Sequence, residues 1–398
     1  MADLKVDLCG IRFPNPVLVA AGPPSRDGAT LLKMAKGGAG GLVTKTVSLN
    51  PARAPKPNMM VPQKGELMHE VSTVIQGRLV KASRVKLKLS QALLNTELWS
   101  ELPLEEWLSR EYDIALSSNL PVIASIGYTA SEVKEIGPLV EKKGVSAIEF
   151  SLHYLGKSLE PLIDTAKALR EVVSVPIFPK ISPNIPDVIE LAQALEPYVD
   201  GFVAINSLGP TLSFDIDKIK PVLGSRYGFG WISGAPLKPL ALRIVFDVAG
   251  ITKKPIIGVG GVLSGRDVVE FLMAGASLVQ ICTGAIIEGP AIFGRVVREL
   301  EEWLEEHDFT SVKDIQGLYL RSLKDGQDEV VERAVTAVDG EKCKTCGLCV
   351  KSCVSEALSI KEENGRSYLF LDEDCCVGCG LCYSLCPTQA LSRPFPRV

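Results

Sequence analysis

Cysteine is almost missing from most of this chain. Of 398 residues and eleven cysteines, only Cys9 and Cys282 precede position 340. That pattern excludes a disulfide scaffold and suits a reducing compartment. A large excess of one charge is also lacking. The net charge of −4 gives no reason to expect a nucleic acid or other polyanion as partner. No uncharged apolar run approaches the length of a membrane span, so no membrane partner is expected. The opening Met1-Ala-Asp-Leu-Lys-Val-Asp has no basic start followed by an apolar run. A secretory leader is therefore not expected, and a cytoplasmic location is. A dinucleotide fingerprint is missing too: in Gly258-Val-Gly260-Gly261-Val-Leu263, Leu263 stands where the last glycine belongs. Nicotinamide is not expected to bind this chain.

The remaining cysteines are concentrated in the tail. Cys343, Cys346, Cys349 and Cys353 form one C-x2-C-x2-C-x3-C run, and Cys376, Cys379, Cys382 and Cys386 form another. This spacing wraps three thiolates round one [4Fe–4S] cube and sends the fourth to its neighbour. Cys343, Cys346, Cys349 and Cys386 are thus assigned to one cluster, and Cys376, Cys379, Cys382 and Cys353 to the other. Zinc usually takes two separated pairs of ligands, not two runs of four. The halves also repeat C-G-L-C and Ala-Leu-Ser (357–359 and 390–392), a short internal duplication as in bacterial two-cluster ferredoxins. Val354 departs from the repeat by replacing the proline that follows Cys386. Cys375 is a spare thiol.

Ahead of the tail, short apolar runs alternate with helix-length amphipathic segments. The runs are 16–20, 41–45, 121–125, 147–151, 177–181, 201–205, 255–258 and 277–282. Helical patterns include 131–143, 159–172, 185–195, 239–249 and 265–274. Eight βα units predict a (β/α)8 TIM barrel, with an open doubly wound sheet as the alternative. Residues 4–12 read as a short strand turning at Gly10, a lid. The expected division is a barrel over 1–310, a charged connector over 311–338, and a small α+β two-cluster ferredoxin-like domain over 339–398. The long stretch from Lys45 to Pro121 carries Arg78, Lys81, Arg84, Lys86 and Lys88 with no acid between them. It reads as a solvated helix face, with a docking site for an acidic partner or a phosphorylated substrate tail as the alternative.

Barrel chemistry sits where strands end. The glycine turns Gly258-Val-Gly260-Gly261 and Thr283-Gly284 precede helices and predict a phosphate site. A phosphate-bearing cofactor beside iron–sulfur clusters points to FMN, which exchanges single electrons or a hydride. Lys45 and Lys180, at strand ends, would stabilise negative charge on it.

At these residues the chain resembles the dihydroorotate dehydrogenase and dihydropyrimidine dehydrogenase family. The likeness runs from about Leu4 to Leu300, and the tail extends it towards the dihydropyrimidine type. It is carried by Asn15-Pro16, Lys45-Thr46, Leu94-Asn95-Thr-Glu-Leu, Lys180-Ile-Ser-Pro183, Asn206-Ser207, Ser233-Gly234, Gly260-Gly261 and Glu288-Gly289-Pro290. The resemblance implies that Ala21, Gly22, Lys45, Thr46, Lys180, Ser233, Gly234, Gly260, Gly261, Thr283 and Gly284 line the flavin. Asn95, Asn206 and Ser207 would face a planar, amide-like substrate.

One departure bears on the substrate. The family's Asn-Leu-Ser-Cys-Pro is set against Glu149-Phe150-Ser151-Leu152-His153-Tyr154. Glu149 then takes the place of the Asn, and Leu152 that of the acid/base. Leucine carries no proton, and such a group contributes ~10²–10⁴ in rate. A substrate other than dihydroorotate or dihydrouracil is expected, with Glu149 and His153 as the catalytic pair and Tyr154 nearby. The predicted enzyme is an FMN- and iron–sulfur-dependent oxidoreductase that forms or reduces a C=C bond in a small conjugated substrate. Its electron partner would be a ferredoxin or an NAD(P)H-binding flavoprotein subunit, and homo- or hetero-oligomeric assembly is left open. The alternative is an electron-transfer subunit of a larger redox complex with no substrate chemistry of its own.

Overall fold

The computed structural model describes residues 2–60, 66–75, 78–88, 92–152, 158–324 and 335–392, with backbone alone for 66–75 and 78–88. Two compact units emerge, Met1–Gln63 with Ser90–Asp325, and Lys64–Leu89 with Gly326–Val398.

The eight apolar runs of the first unit form one closed parallel barrel. Its strands are β1 (Val17–Val19), β2 (Gly41–Val43), β3 (Val122–Ile126), β4 (Ala147–Leu152), β5 (Ile177–Ile181), β6 (Phe202–Ala204), β7 (Ile256–Val259) and β8 (Leu278–Ile281). Every residue in them is buried, because side chains alternate between the barrel interior and the helix layer and both are dry. This is why the runs are mostly apolar, with Ser125, Glu149, Ser151, Lys180 and Gln280 as buried polar exceptions.

A helix follows each strand: α1 (Gly28–Lys36), α2 (104–116, π-helical at Trp107–Glu111), α3 (Ala130–Lys142), α4 (Glu160–Arg170), α5 (Val188–Leu195), α6 (Lys238–Ile251), α7 (Gly265–Ala274) and α8 (Ala291–Glu306). Asp27, Thr129, Asp187 and Ser264 cap α1, α3, α5 and α7 with their side-chain oxygens. Among the described residues, no helix is long and apolar enough to cross a membrane.

The N-terminal segment is a hairpin, Val6–Leu8 with Ile11–Phe13, turning at Cys9 and Gly10. It closes the barrel at the end away from the strands' C-termini. Phe13 is fully buried with its ring against Gly41, the first residue of β2, where any side chain would collide with it. Burying that ring contributes about 2–3 kcal/mol.

Two insertions build a second layer at the opposite end. Strands Met59–Met60 and Ala92–Asn95, from the β2–α2 connection, join Leu208–Leu212 and Phe229–Gly234, from the β6–α6 connection, in an antiparallel sheet. Its register sets Trp231 opposite Asn95 and Ser233 opposite Leu93.

In the second unit, Glu66–Ile75 and Arg78–Lys88 pair as an antiparallel hairpin. The basic stretch is therefore strand and not helix. Its sequence already alternates, with Arg84, Lys86 and Lys88 separated by Val85 and Leu87, a period of two that the run of positive charge masked. Its side chains fall outside the described residues. The tail repeats itself in three dimensions. Gly347 and Gly380 both take left-handed backbone, open the helices Leu348–Ser352 and Leu381–Leu385, and lead to Cys353 and Cys386 at equivalent caps. Cys353 (φ −75°, ψ 106°) and Cys386 (φ −74°, ψ 113°) match closely, so Val354 in place of proline does not alter the loop.

Candidate active site and cluster-binding cavities

A cavity of about 620 Å³ opens at the strands' C-terminal ends, beneath the antiparallel sheet. Its size suits a cofactor together with a small substrate. The wall includes Ala21, Gly22, Lys45, Thr46, Asn95, Lys180, Asn206, Ser207 and Ser233. A smaller annex shares Asn206, Ser207, Ser233 and Cys282 with it and adds Gly234, Gly260, Gly261, Thr283 and Gly284. All the residues expected at the flavin and the substrate thus surround one connected space; of the two expected to act on the substrate, Glu149 does not line it, and His153 lies outside the described residues.

The annex is built from backbone that only glycine adopts easily. Gly234 and Gly261 have φ of 92° and 74°, and a Cβ on Gly261 would lie 2.9 Å from the Gly234 carbonyl oxygen. Thr283 Oγ1 donates to Ser233 Oγ at 2.9 Å. Asp267 ties these loops together. Its Oδ2 accepts from the amides of Leu263 (2.9 Å) and Ser264 (2.8 Å), and its Oδ1 from Lys238 Nζ (2.5 Å). Burial opposes its charge, but Lys238 and the Leu263 amide outweigh burial and hold its carboxyl below the usual range. This stabilisation is complete above the ordinary value of 3.8 and fades as pH falls through the lower folded-state value. Asp267→Asn is expected to cost about 2 kcal/mol and to release flavin more readily at neutral pH. Free-flavin fluorescence during thermal melts checks this.

Lys180 and Glu149 form a buried pair, Nζ to Oε1 at 3.3 Å, with side chains 8% and 1% exposed. Gln280 completes the group: its Nε2 donates to Glu149 Oε2 at 2.8 Å, and its Oε1 accepts from Lys180 at 3.4 Å. β4 and β8 are not neighbours in the barrel, so the Glu149–Gln280 bond crosses its interior. Glu149 therefore points inward, below the cavity wall, with both oxygens engaged. It is not an acid facing the mouth.

The same bond fixes the direction of the rest of β4. With a period of two, Ser151 points inward with Glu149, while Phe150 and Leu152 point out towards the helices. Ser151 does line the cavity, and Asn206 Nδ2 donates to its Oγ at 3.4 Å. Leu152 lies in the apolar core. Leu152 is thus not at the acid/base position, and the reason it gave against dihydroorotate and dihydrouracil falls away. Set against Asn-Leu-Ser-Cys-Pro, the motif falls two residues later, with Ser151 for the Asn and Leu152 matching the motif's own Leu. The proton-carrying position then falls on Tyr154. His153 and Tyr154 lie outside the described residues.

The sequence reading missed Glu97, Glu132, Ser151, Gln280 and the aromatic pair Trp99–Tyr128, whose ring centroids are 5.5 Å apart. Gln280 was visible as a lone polar residue inside the apolar run of β8. Glu97 lay within the Leu94-Asn95-Thr-Glu-Leu segment already singled out. It grips Lys45, Oε2 to Nζ at 2.6 Å, and accepts from Asn58 Nδ2.

The tail holds two small cavities. One is ringed by Cys343, Cys346, Cys349 and Cys386, the other by Cys376, Cys379, Cys382 and Cys353. Each takes three thiols from one run and the last from the other run, a donor set that fits a [4Fe–4S] cube. Cys375 is exposed and lines neither cavity.

A dihydroorotate dehydrogenase family profile matches residues 151–304, and a 4Fe-4S dicluster domain profile matches residues 342–390. The chain is 33% identical over 326 residues to the dihydroorotate dehydrogenase B (NAD(+)) catalytic subunit of Methanocaldococcus jannaschii, covering 79% of this chain and 97% of that protein. It is 34% identical over 328 residues to the Pyrococcus furiosus protein of the same name, covering 79% and 98%. For the Thermoplasma acidophilum protein the figures are 31% over 331 residues, 81% and 100%. About a fifth of this chain lies outside each match.

Proposed function

The chain belongs to the dihydroorotate dehydrogenase family, and we propose that within it this chain reduces or forms the C=C bond of an uncharged, planar, lactam-type ring of the dihydropyrimidine kind. It is an oxidoreductase acting on a CH–CH group, with FMN and two [4Fe–4S] clusters as cofactors. Bound FMN supplies hydride chemistry and single-electron exchange with the clusters. The chain's own residues bind, orient and neutralise. Lys45 and Lys180 place positive charge at the cavity, Thr46 and Ser233 add hydroxyls, and the glycine-walled annex suits a phosphate. Asn95 and Asn206 offer amides that pair with a lactam edge, and Ser151 and Ser207 sit beside Asn206. Tyr154, by the corrected register, is the proton carrier, with His153 next to it.

The observation that carries the choice of an uncharged ring is the charge of the wall. Among the described residues, the charged groups lining the cavity are Lys45, Lys180, Glu97 and Glu132. Glu149 beneath it neutralises Lys180. The acids outnumber the cations by one, a poor environment for the carboxylate that dihydroorotate carries. Electrons would reach the clusters from a ferredoxin or from a flavoprotein subunit that binds NAD(P)H, because this chain lacks a dinucleotide fingerprint. The relatives' names, which describe catalytic subunits of an NAD(+) enzyme, support such a division of labour.

The test is anaerobic reoxidation. Purified holoprotein reduced with dithionite should recover its oxidised-flavin spectrum on mixing with uracil or thymine. If no pyrimidine, cyclic enone or enoyl thioester reoxidises a fully loaded protein, the chain is instead an electron-transfer subunit.

A further inference from the structure

We propose that Glu97 sets substrate specificity, by withholding Lys45 from carboxylated rings and presenting an acceptor to ring N–H groups. The inference rests on the reading above, that this cavity holds a pyrimidine-type ring over a flavin. Three observations carry it.

Glu97 is a carboxylate built into the cavity wall, its side chain 15% exposed and that of Lys45 8%. It comes directly off the strand that carries Asn95, and its amide donates to Asn95 Oδ1 at 3.2 Å. Glu97 and Asn95 therefore move as one turn. Glu97 is also held from two sides: Lys45 Nζ lies 2.6 Å from Oε2, and Asn58 Nδ2 donates to Oε1. Such a clamp makes the pair rigid and fixes the direction of its remaining lone pairs. Finally, the other cation of the wall is no more available, because Lys180 is paired with Glu149 and Gln280. An entering carboxylate finds no unpaired cation among the described residues of the wall, and it meets Glu97 and Glu132. An uncharged ring meets no repulsion, and its N–H can donate to Glu97.

Discrimination of this kind is a difference of affinities, reached here by placing a like charge against the wrong ligand. Removing only the charge should therefore admit that ligand. The experiment uses the FMN- and cluster-loaded full chain under anaerobic conditions, and it follows the flavin spectrum during titration with orotate and with uracil. Wild type should favour uracil over orotate. Glu97→Gln, which keeps shape and the Asn58 contact, should shift the orotate-to-uracil affinity ratio towards orotate by at least ~10-fold, about 1.4 kcal/mol. Glu97→Asp, which keeps the charge, should preserve the wild-type preference.

An unchanged ratio in Glu97→Gln overturns the proposal. So does an equal loss of preference in both variants, which would mean that packing and not charge is at work. Wild type that prefers orotate also overturns it. Protein that purifies with clusters but without flavin would instead sink the underlying reading, and the two failures are distinguished by the flavin content measured beforehand.

Discussion

Glu149→Gln is expected to lower the stability of the flavin-free protein by roughly 3–5 kcal/mol, the usual cost of removing one partner from a buried ion pair. Glu149 is 1% exposed and Lys180 8%, so little of the lysine reaches water where it stands. The amide would still accept from Lys180 and meet Gln280, so the hydrogen bonds survive in part. What disappears is the negative charge, and an uncompensated cation inside a barrel is costly. Urea unfolding of deflavinated wild type and variant checks this, read as a lowered midpoint with unchanged slope.

The effect should shrink in the loaded protein. Lys180 also lines the cavity proposed for the flavin, whose reduced form carries negative charge. The variant should therefore hold reduced flavin more tightly relative to oxidised flavin than wild type does, and its flavin potential should rise. Equal urea midpoints would show that the pair contributes nothing to stability. A fallen potential would show that Lys180 does not face the flavin.

Cys386→Ala is expected to remove the cluster of the first cysteine run, although Cys386 belongs to the second. Iron per chain should fall from about eight to about four, the loss of one cube. The crossed arrangement of the two cavities makes a sharper demand on double variants. Cys386→Ala with Cys343→Ala strikes the same cluster twice and should leave about four irons. Cys386→Ala with Cys376→Ala strikes both and should leave almost none. If each run held its own cluster, these two outcomes would be exchanged. Iron analysis with low-temperature EPR of reduced protein reads the difference directly.

Both predictions depend on contacts that differ in how openly they stood in the sequence. The crossed cysteine pairing could be read from spacing alone, because C-x2-C-x2-C-x3-C is a local geometry. Three thiols within one turn reach one face of a cube, and the fourth, past a short helix, points elsewhere. The barrel was legible for a similar reason. Strands buried on both sides must be mostly apolar, and helices between them must be amphipathic. The basic stretch at 78–88 misled because charge was weighed before periodicity. The assignment of Glu149 and Leu152 failed by two residues, a slip that keeps the same faces inward, so only depth tells the two registers apart: Glu149 meets Gln280 inside the barrel, and Ser151 reaches the cavity.

What the sequence determined by itself was the eight-unit barrel, the glycine turns of the annex and the two cluster-binding runs, since each follows from interactions between near neighbours along the chain. What only the tertiary structure decided was which polar residues meet. Glu149 finds Gln280 across 131 positions, and Lys45 finds Glu97 across 52. The closure of the barrel creates the first meeting, and the added sheet over its mouth creates the second. Neither pair has a signature in local spacing, because their partners are set by the inward or outward facing of distant strands and loops.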